Sequence, residues 1–225
     1  GLGIAALIIW LTQTGANLSE HTFQIIVLVS FIPALLAVII LAVFSKDTPF
    51  KTGSKAPTFS MEGMDKRFKS FLLAAVLFTL GNSSDSFIIL RGQERGLSVL
   101  QIILMLMTFN LIYSLLAGPF GALSDKIGRR KLIISGWLAY SLVYLGFALS
   151  TTGWHIWVLF GLYGIYYALS EGAAKAFVAD LVPAERRGTA YGLYNAGIAL
   201  TAFPASLFAG ILWQRIGPWK GFGPS

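Results

Sequence analysis

Polar and apolar residues fall into long blocks along this chain rather than into alternating positions. Residues 23–44, 97–123, 132–154 and 188–214 contain no charged side chain. Two further blocks are interrupted only sparsely: residues 68–90 by Lys69 and Asp85, and residues 155–179 by Glu171 and Lys175. A helix rises ~1.5 Å per residue and the hydrocarbon core of a bilayer is ~30 Å thick, so ~20 apolar residues suffice to cross it. Six blocks therefore predict complete spans, and residues 1–11 read as the tail of a seventh. Leu, Ile and Ala dominate the blocks, whereas membrane strands would alternate over ~10 residues. In lipid each segment must satisfy its own backbone amides, which makes the blocks helices. Pro33, Pro119 and Pro204 lie inside them and mark kinks. The predicted class is an all-α, polytopic membrane bundle.

Composition agrees. The chain has 225 residues, of which 56% are apolar and only 12% charged, against ~25% charged in soluble domains. Cysteine is absent, which excludes a disulfide framework, a thiolate metal site and a cysteine nucleophile. His21 and His155 are the only histidines, too few for a metal centre, and no cofactor is expected.

The net charge of +7 would suggest nucleic acid if its sources clustered on one face. They flank the apolar blocks instead. Lys46, Lys51, Lys55, Lys66, Arg67, Lys69, Lys126, Arg129, Arg130, Lys131, Arg186 and Arg187 lie on one set of alternating loops. Arg91, Arg95, Arg215 and Lys220 lie on the other. By the positive-inside rule, loops 45–67, 121–131 and 180–187 are cytoplasmic. The basic charge is a topology signal, the bilayer is the partner, and nucleic acid is excluded.

The segment 45–67 is the longest loop, rich in Lys, Pro, Gly and Ser, and reads as the boundary between two bundles. The chain begins inside an apolar helix, without Met, and residues 215–225 form a Gly/Pro-rich tail, so a fragment is expected. Asn17-Leu18-Ser19 matches a glycosylation acceptor, a triplet common by chance; Asn82-Ser83-Ser84 matches too but lies within a span.

Between two charge-free blocks stands Gly121-Ala-Leu-Ser-Asp125-Lys-Ile-Gly128-Arg129-Arg130-Lys131. It must reverse the chain in a short loop at the membrane surface. Gly121 and Gly128 permit tight backbone geometry. Asp125 can cap a helix or accept from an arginine, and Arg129, Arg130 and Lys131 can reach anionic headgroups.

This segment resembles the signature loop of the major facilitator superfamily, G-x-L-[SA]-D-[KR]-x-G-R-[RK]-[KR], at Gly121, Leu123, Ser124, Asp125, Lys126, Gly128, Arg129, Arg130 and Lys131. Glu171-Gly172-Ala-Ala-Lys175, Ala179-Asp180-Leu-Val-Pro183 and Arg187-Gly188-Thr-Ala-Tyr-Gly192 resemble the junction of the fourth and fifth helices of a six-helix half. The resemblance implies the end of a first half over residues 1–44, with helix 23–44 as its last. A cytoplasmic central loop follows at 45–67. Most of a second half then covers 68–214, with helices 68–90, 99–120, 132–150, 155–179 and 188–213. It places roughly four and a half helices before Gly1 and the final helix after Ser225. It also implies that the signature loop forms a charge network, in which Arg129 engages an acid at the end of the fourth helix, such as Asp180.

Ionisable groups at membrane depth are costly and usually face a cavity or a partner. Asp85 and Glu171 fall on the first and fourth helices of the half, which line the cavity in that family. Asn82, Asp85 and Ser86 stand at i, i+3 and i+4, on one helix face. Asp85 is either a cavity acid, binding substrate or a proton, or an interfacial acid paired with Arg91 or Arg95. Glu171 and Lys175, at i and i+4, form either a neutralised pair or a gate exchanging partners with Arg129 or Asp125. Asn110, Tyr113, Tyr163, Tyr166 and Tyr167 could meet substrate, although interface packing explains tyrosines equally well. Gly188-Thr-Ala-Tyr-Gly192 reads as close helix packing.

The expected function is secondary active transport of a small solute by alternating access, with proton coupling as an option. The expected location is the bacterial inner (plasma) membrane. A membrane-embedded enzyme would need a nucleophile with a base or a metal cluster; neither H-E-x-x-H nor G-x-S-x-G occurs. The remaining alternative is a fragment that does not transport without its missing helices.

Overall fold

The computed structural model describes residues 2–12, 20–45, 60–82 and 84–216. Asn17, Ser83, the central-loop lysines Lys46, Lys51 and Lys55, and most of the 215–225 tail lie outside the described residues. Among the described residues there are eight α-helices: α1 Leu2–Thr12, α2 Glu20–Phe44, α3 Lys66–Leu80, α4 Ser86–Glu94, α5 Val99–Ile127, α6 Arg129–Leu149, α7 Gly153–Asp180 and α8 Arg187–Ile216. A 3-10 turn, Ala184–Arg186, precedes α8, and no strand occurs among the described residues.

Glu20–Phe44, Val99–Ile127, Arg129–Leu149 and Ala184–Leu212 are long and apolar enough to cross a membrane. Of the other two predicted spans, α7 has the length, 28 residues, but is diluted by Glu171, Lys175 and Asp180. The first helix of the second half is not one helix. One helix, α3, ends at Leu80 and the next, α4, begins at Ser86, which corrects the expectation of an unbroken span over 68–90. The local sequence Gly81-Asn82-Ser83-Ser84-Asp85 consists of residues that favour turns.

Side-chain caps fix several helix starts. Asp65 accepts from the Arg67 amide at 2.7 Å at the head of α3. Ser98 and Gln101 form a reciprocal capping box on α5, and Thr152 caps α7 by accepting from the His155 amide. The expected loop at 121–131 is shorter than predicted. Helix α5 continues through Gly121 to Ile127, and Gly128 alone joins it to α6. Gly128 has φ +96°, a backbone only glycine adopts readily. Gly121 is helical and needs no special geometry, so its assigned role in the turn is withdrawn.

Helix α7 is the axis of the bundle. It packs along α5 and α6, and more briefly along α4 and α8; α3 packs on α8, and α1 on α5 and α2. Small residues allow the closest approach. A Cβ on Gly164 of α7 would stand 2.9 Å from the Phe109 carbonyl oxygen of α5. Two buried clusters form, one toward the Gly128 end around Phe68, Leu132, Val178 and Ala190, the other toward the opposite end around Met105, Ile156, Phe160 and Tyr163. Outward faces remain apolar: Leu142 and Leu149 of α6, Leu200 of α8 and most of α2 are exposed. A surface of that kind is stable in lipid rather than water.

Candidate functional site

The break between α3 and α4 creates a polar point inside an apolar bundle. The end of α3 leaves carbonyl groups without helical partners. Thr79 returns its hydroxyl to Ala75 O at 2.8 Å, and Tyr140 donates from α6 to Gly81 O at 3.0 Å. Asp85 follows the gap, and its carboxylate makes no cap to α4. It accepts instead from the Tyr163 hydroxyl, at 2.9 Å across the bundle. The predicted shared face of Asn82, Asp85 and Ser86 is lost, because α3 ends at Leu80 and α4 starts only at Ser86. Among the described contacts Asp85 meets Tyr163, while Arg91 bonds Glu94 at 3.0 Å.

Tyr163 is fully buried. It sits among Tyr140, Tyr144, Tyr166 and Tyr167, with ring centroids 5.2–6.1 Å from its own. The packing reading of these tyrosines holds for the rings. It missed the hydroxyl of Tyr163, which is the partner of Asp85.

Asp85 lines a cleft of about 620 Å³ bounded by α3, the break, α6, α7 and α8. Asn82 and Ser84 lie beside it, and Glu171 and Lys175 lie further along α7. Glu171 binds Lys175 at 2.8 Å and accepts from the Tyr113 hydroxyl at 2.7 Å. Both carboxylate oxygens are thus occupied. Asn82, Asp85, Glu171 and Lys175 are brought into one cleft, with Tyr113 tied to it through Glu171. Asn110 is not. Its side chain donates to Leu106 O at 2.8 Å, and it lines a different cleft between α1 and α5.

At the Gly128 end, Arg129 stands between two acids. It meets Asp180 at 2.9 Å and Asp125 at 3.4 Å. The guanidinium thereby ties the turn after α5 to the end of α7. In this structure the Arg129 group and the Glu171–Lys175 pair share no member among the described residues. Arg130 is separate again, lining an apolar groove with Lys66 and Arg67. No cluster of metal-ligating side chains occurs among the described residues.

An uncharacterized MFS-type transporter of Methanocaldococcus jannaschii is 38% identical over 203 residues, 87% of this chain and 50% of that protein. A Na(+), Li(+), K(+)/H(+) antiporter of Planococcus maritimus is 27% identical over 115 residues, 48% of this chain and 27% of the antiporter. A multidrug resistance protein of Proteus mirabilis is 29% identical over 107 residues, 47% of this chain and 26% of that protein. The chain thus spans half the length of the archaeal relative and about a quarter of the other two. No solved structure matches. The family model for the Major Facilitator Superfamily matches residues 71–222; with the signature turn at Gly128 and the apolar spans around it, the chain is a multi-pass integral membrane protein that belongs to the Major Facilitator Superfamily.

Proposed function

We propose that this chain supplies one solute-binding wall and one gate of a secondary transporter that works by alternating access. The observation that carries the reading is the cleft at the α3–α4 break, where an acid with a single phenolic partner stands inside an apolar bundle. An ionisable group at membrane depth is expensive, so its retention points to a ligand or a proton. A broken helix supports the same reading, because irregular backbone at that depth is tolerated where it lines a cavity.

The division into domains follows. Residues 1–44 would close one half, 45–67 would form the central loop, and 68–214 would form most of the other half. A facing bundle would cover the cleft, and rocking of the two halves would expose it to each side in turn. Asp85 would take substrate or a proton. The Asp125–Arg129–Asp180 network would hold the cytoplasmic end, on the side assigned by the excess of Lys and Arg. The membrane would be the plasma membrane. No hydrolytic constellation is needed, since the chemistry of carrying a solute is binding and release.

The test is a solute screen on the full-length protein in proteoliposomes, with and without a pH gradient. The expected result is accumulation by the wild type and loss of accumulation in Asp85→Asn with normal insertion. Wild-type rates in that variant would remove Asp85 from the mechanism.

A further inference from the structure

The charges and surfaces of the Asp85 cleft restrict what it can hold. Among the described side chains lining it, the ionisable ones with formal charge are Asp85, Glu171 and Lys175. Glu171 is neutralised by Lys175 at 2.8 Å, and its second oxygen is taken by Tyr113. Among the described contacts Asp85 has a phenol and no cation, and Arg91 of α4 pairs with Glu94. Among the described side chains of the cleft, Asp85 is therefore the carboxyl group with no cation beside it.

The lining is mixed, and one side of it is aromatic. Phe78 stacks on Trp137 with ring centroids 4.5 Å apart, and Tyr166 and Tyr167 continue the surface. Aromatic faces attract cations, most strongly where water is excluded. A bare metal ion would need a cage of several oxygen ligands at ~2–2.6 Å; among the described residues no three acids or histidines stand together to supply a charged one. The cleft, at about 620 Å³, is the size of a site for a small organic molecule.

We infer that the Asp85 cleft selects organic cations, with the ammonium or phosphonium charge placed against Asp85 and the apolar substituents against Phe78, Trp137, Tyr166 and Tyr167. An anion of the same shape would be repelled by an ionised Asp85, and a neutral sugar would bring it no counter-charge. This deepens the transporter reading and rests on it for the site's role, but binding is measurable without transport.

The experiment is equilibrium dialysis of the full-length protein in nanodiscs against labelled tetraphenylphosphonium and, separately, tetraphenylborate, which has the same shape and the opposite charge. Uptake by empty nanodiscs is subtracted. Saturable binding of the phosphonium alone is expected, at least tenfold weaker in Asp85→Asn and within threefold of wild type in Asp85→Glu. Saturable borate binding, or displacement of the phosphonium by millimolar Na⁺ or Li⁺, would overturn the inference on wild-type protein whether or not a variant folds. So would unchanged binding in a folded Asp85→Asn. The two readings separate cleanly. Asp85-dependent accumulation of a sugar or an anion in proteoliposomes would sink the cation class and leave the transporter standing. Asp85-dependent phosphonium binding with no solute accumulation would do the reverse.

Discussion

The tight crossing of α5 and α7 gives a stability prediction whose sign depends on the structure. Alanine at Gly164 would place a Cβ 2.9 Å from the Phe109 carbonyl oxygen and 3.4 Å from two side-chain carbons of Ile112. Non-bonded heavy atoms settle near ~3.5–4 Å, so the two helices must separate by roughly half an ångström. The obstructing atom belongs to the backbone and cannot rotate away. Overpacking of this kind costs ~1–3 kcal/mol. Against it stands the helix preference of alanine over glycine, ~1 kcal/mol. Gly172, about two turns further along α7, has nothing within 4 Å of an added Cβ. There the helix term acts alone. The difference between Gly164→Ala and Gly172→Ala thus isolates the packing cost, with the propensity term cancelling. At ~2–4 °C per kcal/mol for a chain of this size, the melting temperatures should differ by roughly 2–12 °C, with Gly172→Ala the higher. Thermal melting followed by tryptophan fluorescence in one detergent measures it. Equal shifts in the two variants would refute the close approach of α7 to the α5 backbone.

Removing the phenol in Tyr163→Phe leaves the ring packing in place and deprives Asp85 of its donor, so melting should fall by the equivalent of ~1–3 kcal/mol, while Tyr144→Phe should fall less. Arg129→Lys should lower transport more than stability, because one ammonium cannot hold Asp125 and Asp180 in the same fork; these acids are half or more exposed, and such pairs contribute ~0–1 kcal/mol. Arg186 donates to the Glu62 carbonyl at 2.7 Å, so Arg186→Ala should speed tryptic cleavage at Lys66 by up to about fivefold, the equivalent of ~1 kcal/mol. Single cysteines replacing Lys126 and Arg95 should react with impermeant maleimide from opposite faces of the membrane, since the 29-residue α5 separates them; labelling from one face would refute the threading of the chain.

The helices were readable because, in lipid, length and apolar content are themselves the condition for spanning. No partner is needed to explain why residues 23–44 or 188–214 are helical. The turn at Gly128 was readable for a similar reason: a left-handed residue between two helices is a local requirement, and so is the i, i+4 pair Glu171–Lys175. The Arg129–Asp180 bridge was foreseeable only through resemblance to a family, since the two residues meet across separate helices.

The sequence by itself determined which segments are long and apolar enough to cross a bilayer, because hydrophobic transfer is summed residue by residue. Tertiary structure decided what each buried polar group touches. Asp85 and Tyr163 are 78 residues apart, and the residues adjoining Asp85 gave no sign of that partner. The run Gly81–Asp85 carried turn chemistry, yet an apolar context on both sides favoured continuity. The break persists because Tyr140, from α6, satisfies the carbonyl that the broken helix exposes. Asn110 and Tyr113, less than one turn apart on α5, part company for the same reason: helix packing turns one toward α1 and the other toward Glu171.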